Sequence, residues 1–270
     1  MIHYKSKEEV DLIRESCQMV SQTLEHVAYL LKPGISTKKI NDEAESFIIS
    51  EGGLPAFKGY NGFPASLCIS VNHEVVHGIP SNEVFLKDGD IISIDCGVLK
   101  DGYYGDAAFT FLLGNVSIEN RKLCMATLRS LYKGIEAARV GWRMGDIGYA
   151  IQSYIENECG FSIVRELVGH GIGRSLHEEP VVSNAGKRGS GQKIKNGLVI
   201  AIEPMVNFGK KEVAVLSDGW TVVTKDATNS AHYEHTIAVF DYGVFVLSDH
   251  SGIEKACILN PFLSPVLGEH

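Results

Sequence analysis

Residues Lys87–Gly97 read KDGDIISIDCG: a glycine-containing break, then Ile91, Ile92 and Ile94 around a small serine, then Asp95. Such a run reads as a strand inside a sheet, yet it closes on a charge that is very costly to bury without a partner. The same pattern returns at Lys195–Met205 as KNGLVIAIEPM, where Glu203 takes the place of Asp95 and Ile200 and Ile202 take those of Ile92 and Ile94. Each copy follows an HGI segment, at His77 and His170, and each precedes a further strand with an acid near its start. In GDAAFTF that acid is Asp106, and in YEHTIAVF it is Glu234. The ordered recurrence predicts two related halves, about 1–115 and 116–250, facing each other across a pseudo-two-fold axis. The special residues then meet in the middle.

Helical and strand periodicities alternate in the same order in both halves. A capping box at Ser6–Glu9 starts a helix with Val10, Ile13, Cys17, Val20, Leu24 and Leu31 on one face. A second helix carries Ile40, Ala44, Phe47 and Ile48, and ends near Gly52. Strands are expected over 66–72, 91–98 and 103–113. Helices follow over 119–139 and from Asp146 to Glu158, then strands over 162–168, 198–206, 212–216, 220–225 and 233–240. Helices then strands, twice, define an α+β class with a mainly antiparallel sheet covered by helices. No low-complexity linker divides the chain, so residues 1–270 are expected to form one domain with a C-terminal tail from about 251 to 270.

The bulk numbers narrow the function. Hydrophobic residues make 44% of the chain and charged residues 21%, as in a globular protein with a large core. The net charge of −8 argues against nucleic acid as substrate. Six scattered cysteines without a C-x-x-C pair are read as reduced, partly buried thiols. There is no apolar signal core and no membrane-length run, so a cytoplasmic protein without membrane contact is expected.

The acids carry the chemistry. A hairpin centred between Lys100 and Asp101 sets Asp95 directly opposite Asp106, and one centred between Asp218 and Gly219 sets Glu203 opposite Glu234. Directly opposed like charges repel, so a cation between them is expected. Oxygen donors with an imidazole suit Mn, Fe, Co or Zn better than Ca or Mg. Two such ions about 3.5–4 Å apart form a hydrolytic arrangement that activates water. His170 and His177 are seven apart, but the glycines and proline of GHGIGRSLHEEP favour a loop and strand edge over a helix.

Together, VVHGIP, IDCGVLKDGYYGD, GHGIGRSLHEEP, IEPMV, DGWTVVTKD and SAHYEHTI resemble the methionine aminopeptidases, in particular the bacterial-like type I enzymes of the M24 metallopeptidases. The resemblance runs from about Lys5 to Val246 and implies the pita-bread fold, two α/β halves around a dinuclear site. It implies Asp95, Asp106, His170, Glu203 and Glu234 as metal ligands, with Asp106 and Glu234 bridging. His177 is implied near the scissile carbonyl, His77 near the scissile nitrogen, and Glu203 as proton shuttle. Tyr60, Phe63, Cys68 and Trp220 match the walls of a methionine pocket, with Leu176 beside them. Two positions depart from the pattern: Asn61 in GYNGFP and Leu176 before His177 stand where relatives often have His and Phe. Both are expected to change pocket shape or affinity more than chemistry.

The implied activity is removal of the initiator methionine from nascent chains, favoured by a small second residue, by a monomer that could contact the ribosome without a dedicated docking domain. One rival is an Xaa-Pro peptidase of the same fold, whose members usually carry an extra N-terminal domain. A binding homologue without catalysis is disfavoured because all five acids and imidazoles of the ligand set, and both further histidines, are intact. A di-iron oxidase would need Glu-x-x-His pairs on bundle helices, which the sequence lacks.

Overall fold

A computed structural model describes residues 1–266 of the chain. Helix α1, Lys7–Leu30, begins on the expected capping box: Glu9 N–H donates to Ser6 Oγ at 3.2 Å and Ser6 N–H to Glu9 Oε2 at 3.1 Å. Its apolar face, from Val10 through Leu24, is buried, and so is Leu31 just past its end. Helix α2, Thr37–Ser50, is capped by Ser36 and buries Ile40, Ala44 and Ile48, while the half-buried Phe47 stacks on His26. Then come β1 (Leu54–Pro55), β2 (Leu67–Val71), β3 (Glu74–Val76), β4 (Ile91–Lys100) and β5 (Tyr103–Leu113).

The second half opens with α3 (Ile118–Ala137) and α4 (Met144–Gln152), the latter continued by a π-helical turn at Ser153–Cys159. Ten short strands follow to residue 246: β6 (Ser162–Ile163), β7 (Gly169–Gly171), β8 (Glu178–Val182), β9 (Leu198–Ile202), β10 (Met205–Asn207), β11 (Val213–Val215), β12 (Val222–Thr224), β13 (Ser230–His232), β14 (His235–Phe240) and β15 (Gly243–Val246). The expected strand 198–206 is thus two pieces broken at Glu203–Pro204, and 233–240 starts only at His235. The C-terminal stretch from 251 forms helix α5 (Ser251–Leu259) against α1 and strand β16 (Leu263–Ser264) beside the end of β5. The last part of the expected tail, 267–270, lies outside the described residues.

One sheet joins β1, β4, β5 and β16, with β2 also on β4; another runs β15-β14-β9-β7-β8, and every pairing is antiparallel. Helices α1, α2 and α5 pack over the first sheet; α4 packs on β8 of the second, and α3 chiefly on β13 and β10, which pair with each other beside it, and on β9. The two sheets meet where β14 passes β5. There Glu234 N–H donates to Ala108 O at 2.9 Å and Thr236 Oγ1 to Asp106 O at 2.8 Å.

The two hairpins differ from each other in how they meet expectation. Lys100 pairs with Tyr103, so the first turn is centred on Asp101–Gly102, one residue later than expected. Both turn residues have positive φ, 49° and 79°, the backbone that an Asp-Gly turn supplies. Asp106 therefore faces Gly97, and Asp95 faces Ala108. The two acids are diagonal neighbours on one face rather than directly opposed. In the second hairpin the expected register holds along its whole length. Leu198 pairs with Val239, Ile202 with His235, Met205 with His232, Asn207 with Ser230 and Val215 with Val222, closing at Asp218–Gly219. The breaks between these ladders bend the ribbon without slipping it.

Helix α1 lies so close to β5 that a Cβ at Gly105 would stand 2.4 Å from Cys17 N and 2.5 Å from Ser16 C. Both are backbone atoms, so only movement of the helix could make room. Gly105→Ala is expected to lower stability by about 2–3 kcal/mol, at the upper end of ordinary overpacking. Urea unfolding measures this, and an unchanged midpoint would contradict the packing.

Candidate metal centre

Strands from both sheets deliver acids and imidazoles to one point. Asp95 comes from β4, Asp106 from β5 and His170 from β7, while Glu203 and Glu234 sit at the bend between the ladders of the long hairpin. A donor atom from each of Asp106, His170 and Glu234 lies within 4.8 Å of the other two. His170 Nε2 is 3.6 Å from Glu203 Oε1 and 3.8 Å from Asp106 Oδ2. These separations are too long for good hydrogen bonds and suit donors that each reach about 2.0–2.2 Å to a shared cation. His170 Nδ1–H donates to Gly171 O at 2.9 Å, which leaves the Nε2 lone pair turned to the carboxylates.

Three buried oxygens of this cluster lack partners. Asp95 Oδ1, Asp106 Oδ1 and Glu234 Oε1 are buried with no hydrogen-bond partner. Burial pushes the Asp95 carboxyl up to about 7. Burial, then repulsion from neighbouring acids, raises Asp106, Glu203 and Glu234 well above the carboxylate range. His170 is pushed down to about 3, first by burial and then by His177, so it stays neutral as a metal ligand requires. Hard oxygen donors, one neutral imidazole and unsatisfied buried oxygens together fit divalent transition-metal ions.

A cavity of about 220 Å³ opens onto this cluster. It gathers every residue singled out from the sequence. Phe63, Cys68, Leu176 and Trp220 form its apolar side, with the rings of Phe63 and Trp220 edge to face at 5.2 Å. Asp218 holds Trp220 in place by accepting from its N–H at 2.8 Å and from Thr221 N–H at 2.9 Å. His177 lies at the mouth, 2.8 Å from Tyr60 Oη through Nδ1 and edge-on to His170 at 4.2 Å. By area it is exposed, yet enough protein surrounds its ring to depress its pKa. His77 faces Trp220 from a left-handed backbone, φ 59°, and its pKa is lowered by burial and by His177. Asn61 also lines the cavity and has φ 49°, a conformation asparagine tolerates well.

Sequence reasoning missed two residues here. Phe57 lines the cavity and packs on Gly97, where a Cβ would come within 2.5 Å of its ring. His232 is 1% exposed, its Nε2 has no hydrogen bond, and it stands 3.9 Å from Glu203 Oε2. Its signal was a histidine two residues before Glu234, on a strand whose alternation breaks at the bend.

The metallopeptidase family M24 matches residues 11–241, and the chain belongs to that family. Among its relatives, methionine aminopeptidase 1 of Bacillus subtilis is 50% identical over 248 residues, 92% of this chain and 99% of the relative. A crystal structure of methionine aminopeptidase from Rickettsia prowazekii superposes with a TM-score of 0.90 at 41% identity, covering 92% of this chain and all of that one. Prolidase from Pyrococcus furiosus, at 22% identity and a TM-score of 0.74, shares the fold; the match spans 91% of this chain and 65% of the prolidase. The fold is the pita-bread arrangement.

The acid cluster sets a pH dependence. Carboxyls with native pKa above the unfolded value bind more protons when folded, so their contribution turns unfavourable as pH rises from about 3.8 toward about 7. A bound cation replaces those protons. The gap in melting temperature between metal-loaded and chelated protein is therefore expected to widen from pH 5 to pH 8. A gap that stays constant in differential scanning fluorimetry would mean that the acids are not protonated in the metal-free state.

Proposed function

We propose that this protein removes the N-terminal methionine of nascent polypeptides, with a small second residue preferred, using two divalent ions drawn from Mn, Fe, Co and Zn. The observation that carries this reading is one cavity with an apolar, sulfur-containing wall at one end and a carboxylate–imidazole cradle at the other. A flexible thioether suits that wall, and the cradle suits the ions that a metallopeptidase needs. No helix among the described residues is long and apolar enough to cross a membrane. We read the protein as a cytoplasmic monomer, one catalytic domain of two related halves, that meets its substrates near the ribosome.

Asp95, Asp106, His170, Glu203 and Glu234 would hold the ions. When bound, such ions supply a nucleophilic water at neutral pH and polarise the scissile carbonyl. The Glu203 carboxylate would act as the proton shuttle, holding a proton during attack and releasing it to the leaving amine nitrogen. With Tyr60 O–H donating to Nδ1, the Nε2–H of His177 is left to donate a hydrogen bond to the oxyanion as it develops. His77, beside Trp220, hydrogen-bonds the scissile amide nitrogen and fixes the peptide's register. Phe63, Cys68, Leu176 and Trp220 exclude water around the methionine side chain, and Tyr60 closes the mouth.

A panel of peptides varied at the first two residues, incubated with chelated protein and then with each metal restored, tests the reading. Release of methionine from Met-Gly and Met-Ala peptides, and little from Met-Leu, is expected. No methionine release with any metal, or cleavage confined to residues before proline, would overturn it. Leu176, 2% exposed, lines the cavity and carries no charge or proton to alter the acids' titration. Leu176→Phe is therefore expected to change KM for methionyl peptides by severalfold and to leave the pH profile of kcat in place. A shifted profile at fixed KM would contradict this.

A further inference from the structure

We propose that Lys5 is a positioning residue for the cavity, acting through a buried ion pair with Glu178 that fixes the loop carrying Leu176 and His177. This rests on the role given above to His177. Lys5 is 5% exposed, an unusual place for a lysine. Its Nζ lies 2.5 Å from Glu178 Oε2, with only 1% of the lysine side chain and 17% of the glutamate side chain exposed. The partners are 173 residues apart in sequence. A buried ammonium is costly unless its charge and donors are met, and Nζ also donates to His3 O at 3.1 Å.

The surroundings are shaped to admit this side chain. A Cβ at Gly173 would lie 2.4 Å from Lys5 Cε, and one at Gly197 would lie 2.6 Å from Lys5 O. Lys5 N–H donates to Gly197 O at 2.7 Å, which ties the N-terminal segment to the start of β9. Glu178 faces both ways. One carboxylate oxygen takes Lys5, and the other accepts from Ser175 N–H at 3.2 Å.

Between Gly173 and Glu178 the chain makes few other hydrogen bonds. Gly173 N–H donates to Ser175 O at 3.2 Å, and Tyr104 N–H to Gly173 O at 2.8 Å. Arg174 leans outward over the Tyr103 ring, 3.8 Å from Glu9 Oε1. Past the Gly171–Glu178 pair that closes the β7–β8 ladder, a loop with a glycine at 173 has little stiffness of its own. The ion pair at its base supplies what the local sequence does not, and His177 adjoins Glu178 directly.

The test uses the full-length, metal-loaded protein and a Met-Gly-type peptide. Lys5→Gln and Glu178→Gln are each expected to lower kcat by about 10- to 100-fold, the scale of a catalytic group displaced by about 1 Å, with a smaller change in KM and unchanged metal content. The double variant, with a neutral amide pair able to hydrogen-bond, is expected to recover most of that loss. In a His177→Ala background either single substitution is expected to change kcat by less than about twofold, because both act through one group. Amide exchange of metal-free Lys5→Gln is expected to be at least about tenfold faster over 173–178 and unchanged over β5 and β9.

If Lys5→Gln does not fold, Glu178→Gln carries the same comparisons. Equal losses with and without His177, full activity in both singles, or exchange that rises uniformly across the protein would each overturn the proposal. An unmodified protein that releases no methionine would count against the proposed function instead, and the exchange data on the metal-free protein would still decide whether Lys5 holds the loop.

Discussion

Asp106→Ala is expected to abolish metal uptake and methionine release together, with activity down by at least about a thousandfold. Asp106 is 3% exposed and is grouped with His170 and Glu234, a donor atom of each lying within 4.8 Å of the other two. Losing it removes one of the five donors proposed to hold the ions. The Lewis-acid contribution of bound metal is worth several kcal/mol, and each 1.36 kcal/mol is tenfold in rate. The metal-free protein should respond differently. There Asp106 is repelled by Glu234 and Asp95 and has an unpartnered buried oxygen, so its removal relieves repulsion while leaving a small void. Chelated Asp106→Ala is expected to melt no lower than the chelated parent. Metal analysis, peptide hydrolysis and a melting curve decide the matter. Retained stoichiometry with full activity would remove Asp106 from the ligand set.

The second large effect is expected at His177. His177→Ala should keep its metal and lose about 10²–10³ in kcat, the range found when one preorganised oxyanion donor is removed. The side chain is anchored by Tyr60 through Nδ1 at 2.8 Å, and its ring stands edge-on to His170. Tyr60→Phe keeps the imidazole and loses only that anchor, so its cost should be smaller. A His177→Ala enzyme with parental kcat, or one that has lost its metal, would refute the assignment in two distinguishable ways.

Much of this was legible in the sequence for specific reasons. The apolar spacing from Val10 to Leu31 and the Ser6–Glu9 box sufficed for α1, because local capping and burial point the same way there. The repeated strand ending in an acid pointed to the four carboxylates, since no ordinary core places charges so, and the resemblance set His170 beside them. The register of Asp95 and Asp106 was misjudged because a two-residue turn needs two positive-φ residues, and Asp101–Gly102 meets that demand better than Lys100–Asp101. The bends at Glu203–Pro204 and at Glu234 hid His232, whose alternation could not be followed through them. The Lys5–Glu178 pair had no sequence signal, because nothing local foretells a contact across most of the chain.

The long ribbon from Leu198 to Phe240 has a lasting consequence. Trp220 beyond its tip and Glu203 and Glu234 near its base are indexed on a single continuous ruler. One residue added to or lost from one arm between Met205 and Val215 would swap inward and outward side chains on part of that arm and misalign the specificity wall with the metal cradle. Length variation in this segment should therefore be tolerated when matched on both arms, or when confined to the apex between Leu216 and Gly219.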